Sequence, residues 1–175
     1  ALARNPRAIR GQNDNLTWIH GDAETGAGLD ALVEHCQYCV CAISSLKPVM
    51  EKAMTNLLPL LEAHKRFGRF VLVSRLGTGE SREHSMKVSG PIQQRLPVIL
   101  APLFRDQNLA EHRVRQSKVP WTIVRSTRLT DDPATGRVVT VGPTDLPPHR
   151  ITRADLQESD EYVPPSTGSD EEEAV

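Results

Sequence analysis

Aromatic side chains are scarce in this chain: two Trp, two Tyr and three Phe make up 4% of 175 residues. Any core must therefore be aliphatic, and few rings remain for stacking on nucleic-acid bases. Cysteine is almost as rare. Three residues, an odd number confined to Cys36, Cys39 and Cys41, do not make a disulfide framework, and a reducing, cytoplasm-like compartment is the expectation. No apolar run approaches the roughly 20 residues that span a bilayer, and nothing at the start reads as a signal peptide. Basic residues are missing altogether beyond Arg153. All 21 Lys and Arg lie between Arg4 and Arg153, among 14 acids, whereas Asp155 to Val175 carries eight acids. The formal net charge of −1 is thus a cancellation between a basic body and an acidic tail.

What is present is hydrophobic patterning. Ala1-Leu2-Ala3 reads as the end of a strand stopped by Pro6, which biases Asn5 away from helix. Leu16 to Ile19 is strand-like, and Gly21-Asp22 breaks it. Leu29, Leu32 and Val33 mark one face of a short helix, Val40 to Ile43 a strand, and Pro48 to His64 a long helix that Pro59 should bend. Phe70 to Val73 is a continuous apolar run of the kind buried on both faces of a parallel sheet. Residues 77–90 form a loop rich in glycine, serine and charge. Leu103 to Gln116 reads as a helix and Trp121 to Val124 as a strand; a loop spans 126–136 and a short strand Val138 to Val141. From Gln157 the chain is too polar to pack and reads as a solvated tail. The alternation of strand and helix predicts an α/β fold with a parallel sheet and right-handed crossovers.

Several segments, taken in order, resemble the atypical short-chain dehydrogenase/reductases, closest to the NmrA-like and biliverdin/flavin-reductase-like NAD(P)H-binding proteins. Arg4-Asn5-Pro6 is similar to the end of their second strand and Gly21-Asp22 to the turn after the third. Phe70 to Ser74 resembles their fifth strand, Trp121 to Arg125 their sixth, and Ile151 to Leu156 a later I-S-R-x-D segment. The resemblance implies a Rossmann-like three-layer sandwich over residues 1–156, followed by an acidic, disordered tail over 157–175. It also exposes departures. The family's first strand and glycine-rich phosphate loop have no counterpart, and neither Gly26-Ala27-Gly28 nor residues 75–79 have the G-x-G-x-x-G spacing. The Tyr-x-x-x-Lys pair is also absent, since neither Tyr38 nor Tyr162 has a Lys four residues on. The chain is therefore expected to be a fragment or degraded copy of a longer dinucleotide-binding protein, short of about 30 residues of opening strand, turn and helix.

The resemblance implies cofactor-binding roles for Arg4, Asp22, Ala23, Ala42, Ile43, Ser44 and Ser74. An Arg after the second strand accommodates the 2′-phosphate of NADP(H) in preference to NAD(H); the alternative for Arg4 is a surface residue at a truncated terminus. Asp22 and the Ala23 backbone would meet the adenine, or Asp22 caps its own turn. Ala42, Ile43 and Ser44 would run beneath the phosphates, while Ser44 and Ser45 could instead cap the following helix. Ser74 would face the nicotinamide, and Arg75 beside it either attracts an acidic substrate or points to solvent. Catalytic residues stay open; Ser74, His112 and Arg128 are weak candidates, the last two for proton donation. The cysteine cluster reads as core packing, and no metal is expected. The implied activity is NAD(P)H-dependent hydride transfer to a flat acceptor such as a flavin, a tetrapyrrole or a quinone. Cofactor binding would be impaired without the phosphate loop. Alternatives are a non-catalytic NAD(P)-binding redox sensor or an inactive fragment. The partner is a small molecule, with no nucleic acid and no membrane; a protein partner or self-association is possible through the apolar surface that a missing layer would leave.

Overall fold

The structure, a computed structural model, describes residues 1–8, 15–43, 46–81, 101–139, 150–155 and 172–174. Strand β1 (Leu2–Ala3) pairs in parallel with β2 (Ile19–His20). Helix α1 (Leu29–Glu34) leads into β3 (Tyr38–Cys41), and helix α2 (Met50–Ala63) into β4 (Arg69–Arg75). Helix α3 (Ala101–Gln116) precedes β5 (Trp121–Ser126). Two short strands, β6 (Arg128–Thr130) and β7 (Arg150–Thr152), pair in parallel with each other. A last strand, β8 (Glu172–Ala174), lies beside β5, so the larger sheet has the order β3-β4-β5-β8. Every described strand pair is parallel, and helices α2 and α3 link β3 to β4 and β4 to β5. This is a Rossmann-like α/β architecture.

Register explains where the core sits. Cys39, Phe70 and Trp121 are partners across β3, β4 and β5, as are Cys41, Leu72 and Ile123. Side chains opposite one another in a parallel ladder share a face, so these six form one wall. Against it pack Leu29 and Val33 of α1, the stripe Met50, Ala53, Met54, Leu57, Leu58 and Leu61 of α2, and Ala110 and Val114 of α3. Each fully buried Leu or Phe in this cluster contributes about 1.5–3 kcal/mol. α2 runs on through Pro59, which sits at an exposed position, outside that stripe.

The opposite face is less covered. β4 alternates between buried and half-buried positions instead of being buried throughout, and Tyr38 and Val40 are 71% and 59% exposed. The second helical layer of a three-layer sandwich is not among the described residues. The cysteines behave as core residues: Cys39 and Cys41 are buried and unbridged. Burial raises the Cys39 thiol to about 12 and the Cys41 thiol to about 11, so neither ionises near neutrality.

Other differences from expectation have local causes. Residues 77–79 are not part of an open loop. Thr78 and Ser81 are fully buried, and the Ser81 hydroxyl donates to the Thr78 carbonyl at 2.7 Å. Residues 82–90 lie outside the described residues. Val138 and Val139 are in no strand, and the remainder of that expected strand lies outside the described residues. The 128–130 segment, expected as loop, pairs instead with 150–152, and Asp155 joins their flanks. Its carboxylate accepts from the backbone N–H of Thr135 and Gly136 and from the Thr135 hydroxyl. Three residues of the acidic tail, 172–174, add a strand to the sheet beside Thr122, Ile123 and Val124.

Candidate functional site

In an open parallel sheet, ligands lie at the carboxyl ends of the strands. Most of the residues singled out above stand at those ends. Arg4 follows β1 and is exposed, and its side chain has no ion pair among the described residues. Asp22 lies just past β2 and closes its own turn, with Oδ1 accepting the Glu24 N–H at 2.8 Å and its carbonyl accepting from Gly26. Asn56 of α2 anchors that turn by donating to the carbonyls of Ala23 and Glu24 at 3.1 and 3.0 Å. Ala42 and Ile43 follow β3, the first exposed and the second packed on the core. Ser44 lies outside the described residues.

Ser74, near the end of β4, faces inward. Its hydroxyl donates to Glu111 Oε1 of α3 at 2.6 Å and lies 3.2 Å from Thr78 Oγ1. Glu111 is fully buried, as is Arg125 of β5, whose Nη2 reaches Glu111 Oε2 at 2.8 Å. Arg115 approaches the same oxygen from the next turn of α3 at 3.3 Å. Burial alone would raise the Glu111 carboxyl. Hydrogen bonds from Arg125, Ser74 and Thr78, with the charge of Arg125, more than offset it and hold the group below its ordinary value. The pair is thus a structural ion pair that engages the Ser74 proton. Arg125 was legible only as part of a strand motif, and nothing in the sequence pointed to Glu111 as its partner.

The other inward-facing feature is a shallow crevice, open to solvent, between the start of α2, the end of β4 and the first turns of α3. Ile43, Lys47, Met50, Arg75, Asp106 and Gln107 are among the residues on its wall. Asp106 caps α2 from another helix, accepting the N–H groups of Met50 and Glu51 at 2.8 and 3.1 Å. This supplies the cap that Val49, at the N-cap position, cannot. A contact 56 residues apart has no local signature. His112 is exposed, off the buried stripe of α3, and does not reach the crevice. Of Arg128 only the backbone is described.

Several of the described glycines are engaged in packing, whereas Gly136 faces open space. A Cβ at Gly21 would lie 2.2 Å from the Ala27 carbonyl oxygen, and one at Gly28 2.8 Å from the His20 oxygen. Gly79, at φ +52, would place a Cβ 2.6 Å from Arg125 Nη2. These positions are small because the chain folds onto itself there; none is a cradle for a phosphate. No group of three or more metal-ligating side chains occurs among the described residues, and no described helix is long and apolar enough to cross a membrane.

Comparison with known proteins places this geometry. The profile of a family described as NAD(P)H-binding matches residues 1–159. Among solved structures, an anaerobillin reductase from Escherichia coli O157:H7 superposes with a TM-score of 0.67 at 19% identity, over 90% of this chain and 74% of that one. A short-chain dehydrogenase/reductase from Veillonella parvula, solved with NADP, gives 0.73 at 17% identity, over 91% and 71%. A candidate NADH-flavin reductase from Streptococcus pneumoniae gives 0.67 at 16% identity, over 99% and 85%. At these identities the likeness is one of fold. No curated protein matches the chain.

Proposed function

The chain belongs to the NAD(P)H-binding family, and from that premise we propose that it is an oxidoreductase of the atypical short-chain type, acting on a flat acceptor such as a flavin, a tetrapyrrole or a quinone. The single observation that carries the reading is the crevice between α2 and α3 at the carboxyl end of β4, where a substrate would meet a dinucleotide laid along the strand ends. Arg4 would face the 2′-phosphate and favour NADP(H) over NAD(H). Asp22 and Ala23 would flank the adenine, with Ala42, Ile43 and Ser44 beneath the phosphates. The cofactor supplies hydride chemistry; the chain supplies position and electrostatics. Ser74 donates its proton to Glu111, so toward a ligand its oxygen would act as an acceptor.

The fit is partial. Strand ends and the exposed Arg4 suit the dinucleotide, but Gly21, Gly28 and Gly79 close on this chain's own atoms and leave no room for a pyrophosphate. Binding to the 175-residue chain is therefore weak under this reading. The test is formation of NADP⁺, followed chromatographically, from millimolar NADPH with FMN or menadione against an enzyme-free control. Turnover above the control is expected; its absence with both acceptors sinks the reductase reading. A specific observation favours a second reading, a non-catalytic NAD(P)-binding sensor: Ser74 is engaged with Glu111 and His112 points away from the crevice. Cofactor binding without turnover on any acceptor is its signature.

A further inference from the structure

Strand β8 has little of what normally holds a strand. It consists of three residues, Glu172, Glu173 and Ala174, and both residue types are depleted in strands. A ladder this short offers few backbone hydrogen bonds against the entropy of ordering the chain. Yet β8 pairs in parallel with β5, Glu172 beside Thr122, Glu173 beside Ile123 and Ala174 beside Val124. Propensity does not account for that pairing, which leaves the backbone ladder and charge.

Charge is available on both sides. Asp170-Glu171-Glu172-Glu173 is the longest run of acids in the chain, and the body before Asp155 carries 21 basic residues among 14 acids. At the register where β8 begins, Arg69 of β4 donates from Nη1 to the Thr122 hydroxyl at 2.8 Å. A guanidinium therefore stands at the β5 residue that pairs with Glu172. Thr122 is buried and Arg69 half-buried, so salt screens this cation less than one on the open surface. Lys118, exposed in the turn that leads into β5, adds a second cation at the same end of the strand. The acid bonded to that turn is Glu62, which accepts the Lys118 N–H at 2.9 Å.

We propose that β8 is an autoinhibitory edge strand. The acidic end of the chain is held on β5 chiefly by the charge of the basic body, and rising ionic strength releases it. Among the described residues nothing else pairs with that edge of β5. Uncovered, it is a template for strand addition by another chain. The inference is independent of the reductase reading.

Hydrogen–deuterium exchange of the full chain tests it, read by mass spectrometry on peptides over β4 and β5. Exchange is compared at about 20 mM and about 500 mM NaCl, on either side of the salt at which the Debye length is roughly 10 Å. β4 is paired on both sides and reports the integrity of the fold. The β5 amides that point away from β4 should exchange about tenfold more slowly at low salt than at high salt. Glu172→Gln with Glu173→Gln, which keeps the backbone and removes the charge, should exchange at the fast rate at both salts. Glu173→Pro, which disrupts a ladder, should do the same. Arg69→Gln should narrow the salt difference and Arg69→Lys preserve it. Autoinhibition itself is read by sizing chromatography in a Val40→Lys background, where a charge blunts the β3 edge. There Glu173→Pro and the double Gln variant should elute as larger species than the background alone. Equal β5 exchange at both salts in the parent, or slow exchange retained by Glu173→Pro, overturns the proposal. Slow exchange retained by the double Gln variant does so too, because the backbone ladder alone would then hold the strand. So does release without any increase in size, since the strand would then guard nothing.

Discussion

Glu111 and Arg125 share a site sealed from solvent, and that makes each dependent on the other. Removing one partner of a buried pair leaves an uncompensated charge, whereas removing both is far milder. Glu111→Gln should therefore destabilise the fold by about 3–5 kcal/mol, and Glu111→Gln with Arg125→Met by clearly less, as read from urea unfolding. A double variant as unstable as the single one would show that packing, not charge, dominates there. The pair also predicts a pH dependence. Because the folded Glu111 carboxyl lies below its ordinary value, its contribution is fully present above the unfolded value near 4.5. It is lost as pH falls through the folded value. Unfolding midpoints across that acid range should fall more steeply in the parent than in Glu111→Gln. At this scale the sequence showed candidates by type and position but not by partner. Ser74 was visible at a strand end; its engagement by a residue 37 positions away was not.

At the scale of elements, two supports come from outside the element they hold. α2 begins without a side-chain cap of its own and takes one from Asp106 on α3. Asp106→Ala should cost about 1–2 kcal/mol and Asp106→Asn less, since an amide oxygen still accepts one N–H. Equal losses in both would point to charge at the helix start as the larger contribution. The turn after β4 depends on Gly79, whose left-handed φ and contact with Arg125 both exclude a side chain. Gly79→Ala should destabilise by about 1–3 kcal/mol, a change readable as a lower thermal midpoint. The longer elements were legible because their periodicity is local: α2, α3, β4 and β5 all lie where the apolar spacing put them. β6, β7 and β8 were not, because two- and three-residue strands are defined by their neighbours, here by the Asp155 bridge and by β5.

For the whole molecule, the larger sheet is covered by helices on one face, and β3 presents an unpaired edge with Tyr38 and Val40 exposed among the described residues. Such an edge is a template for pairing with another chain, and a charged residue blunts it. Self-association in sizing chromatography is expected, with Val40→Lys shifting the protein toward monomer; a parent that elutes as a stable monomer contradicts this. The family and the parallel α/β plan were readable from ordered motifs, while the acceptor was not. The central proposal is that this chain has the strand ends of a dinucleotide-binding fold and, among the described residues, no cradle for the pyrophosphate. Isothermal titration of the 175-residue chain with NADPH tests it most directly. The account predicts a dissociation constant in the millimolar range or weaker, and micromolar binding would contradict it.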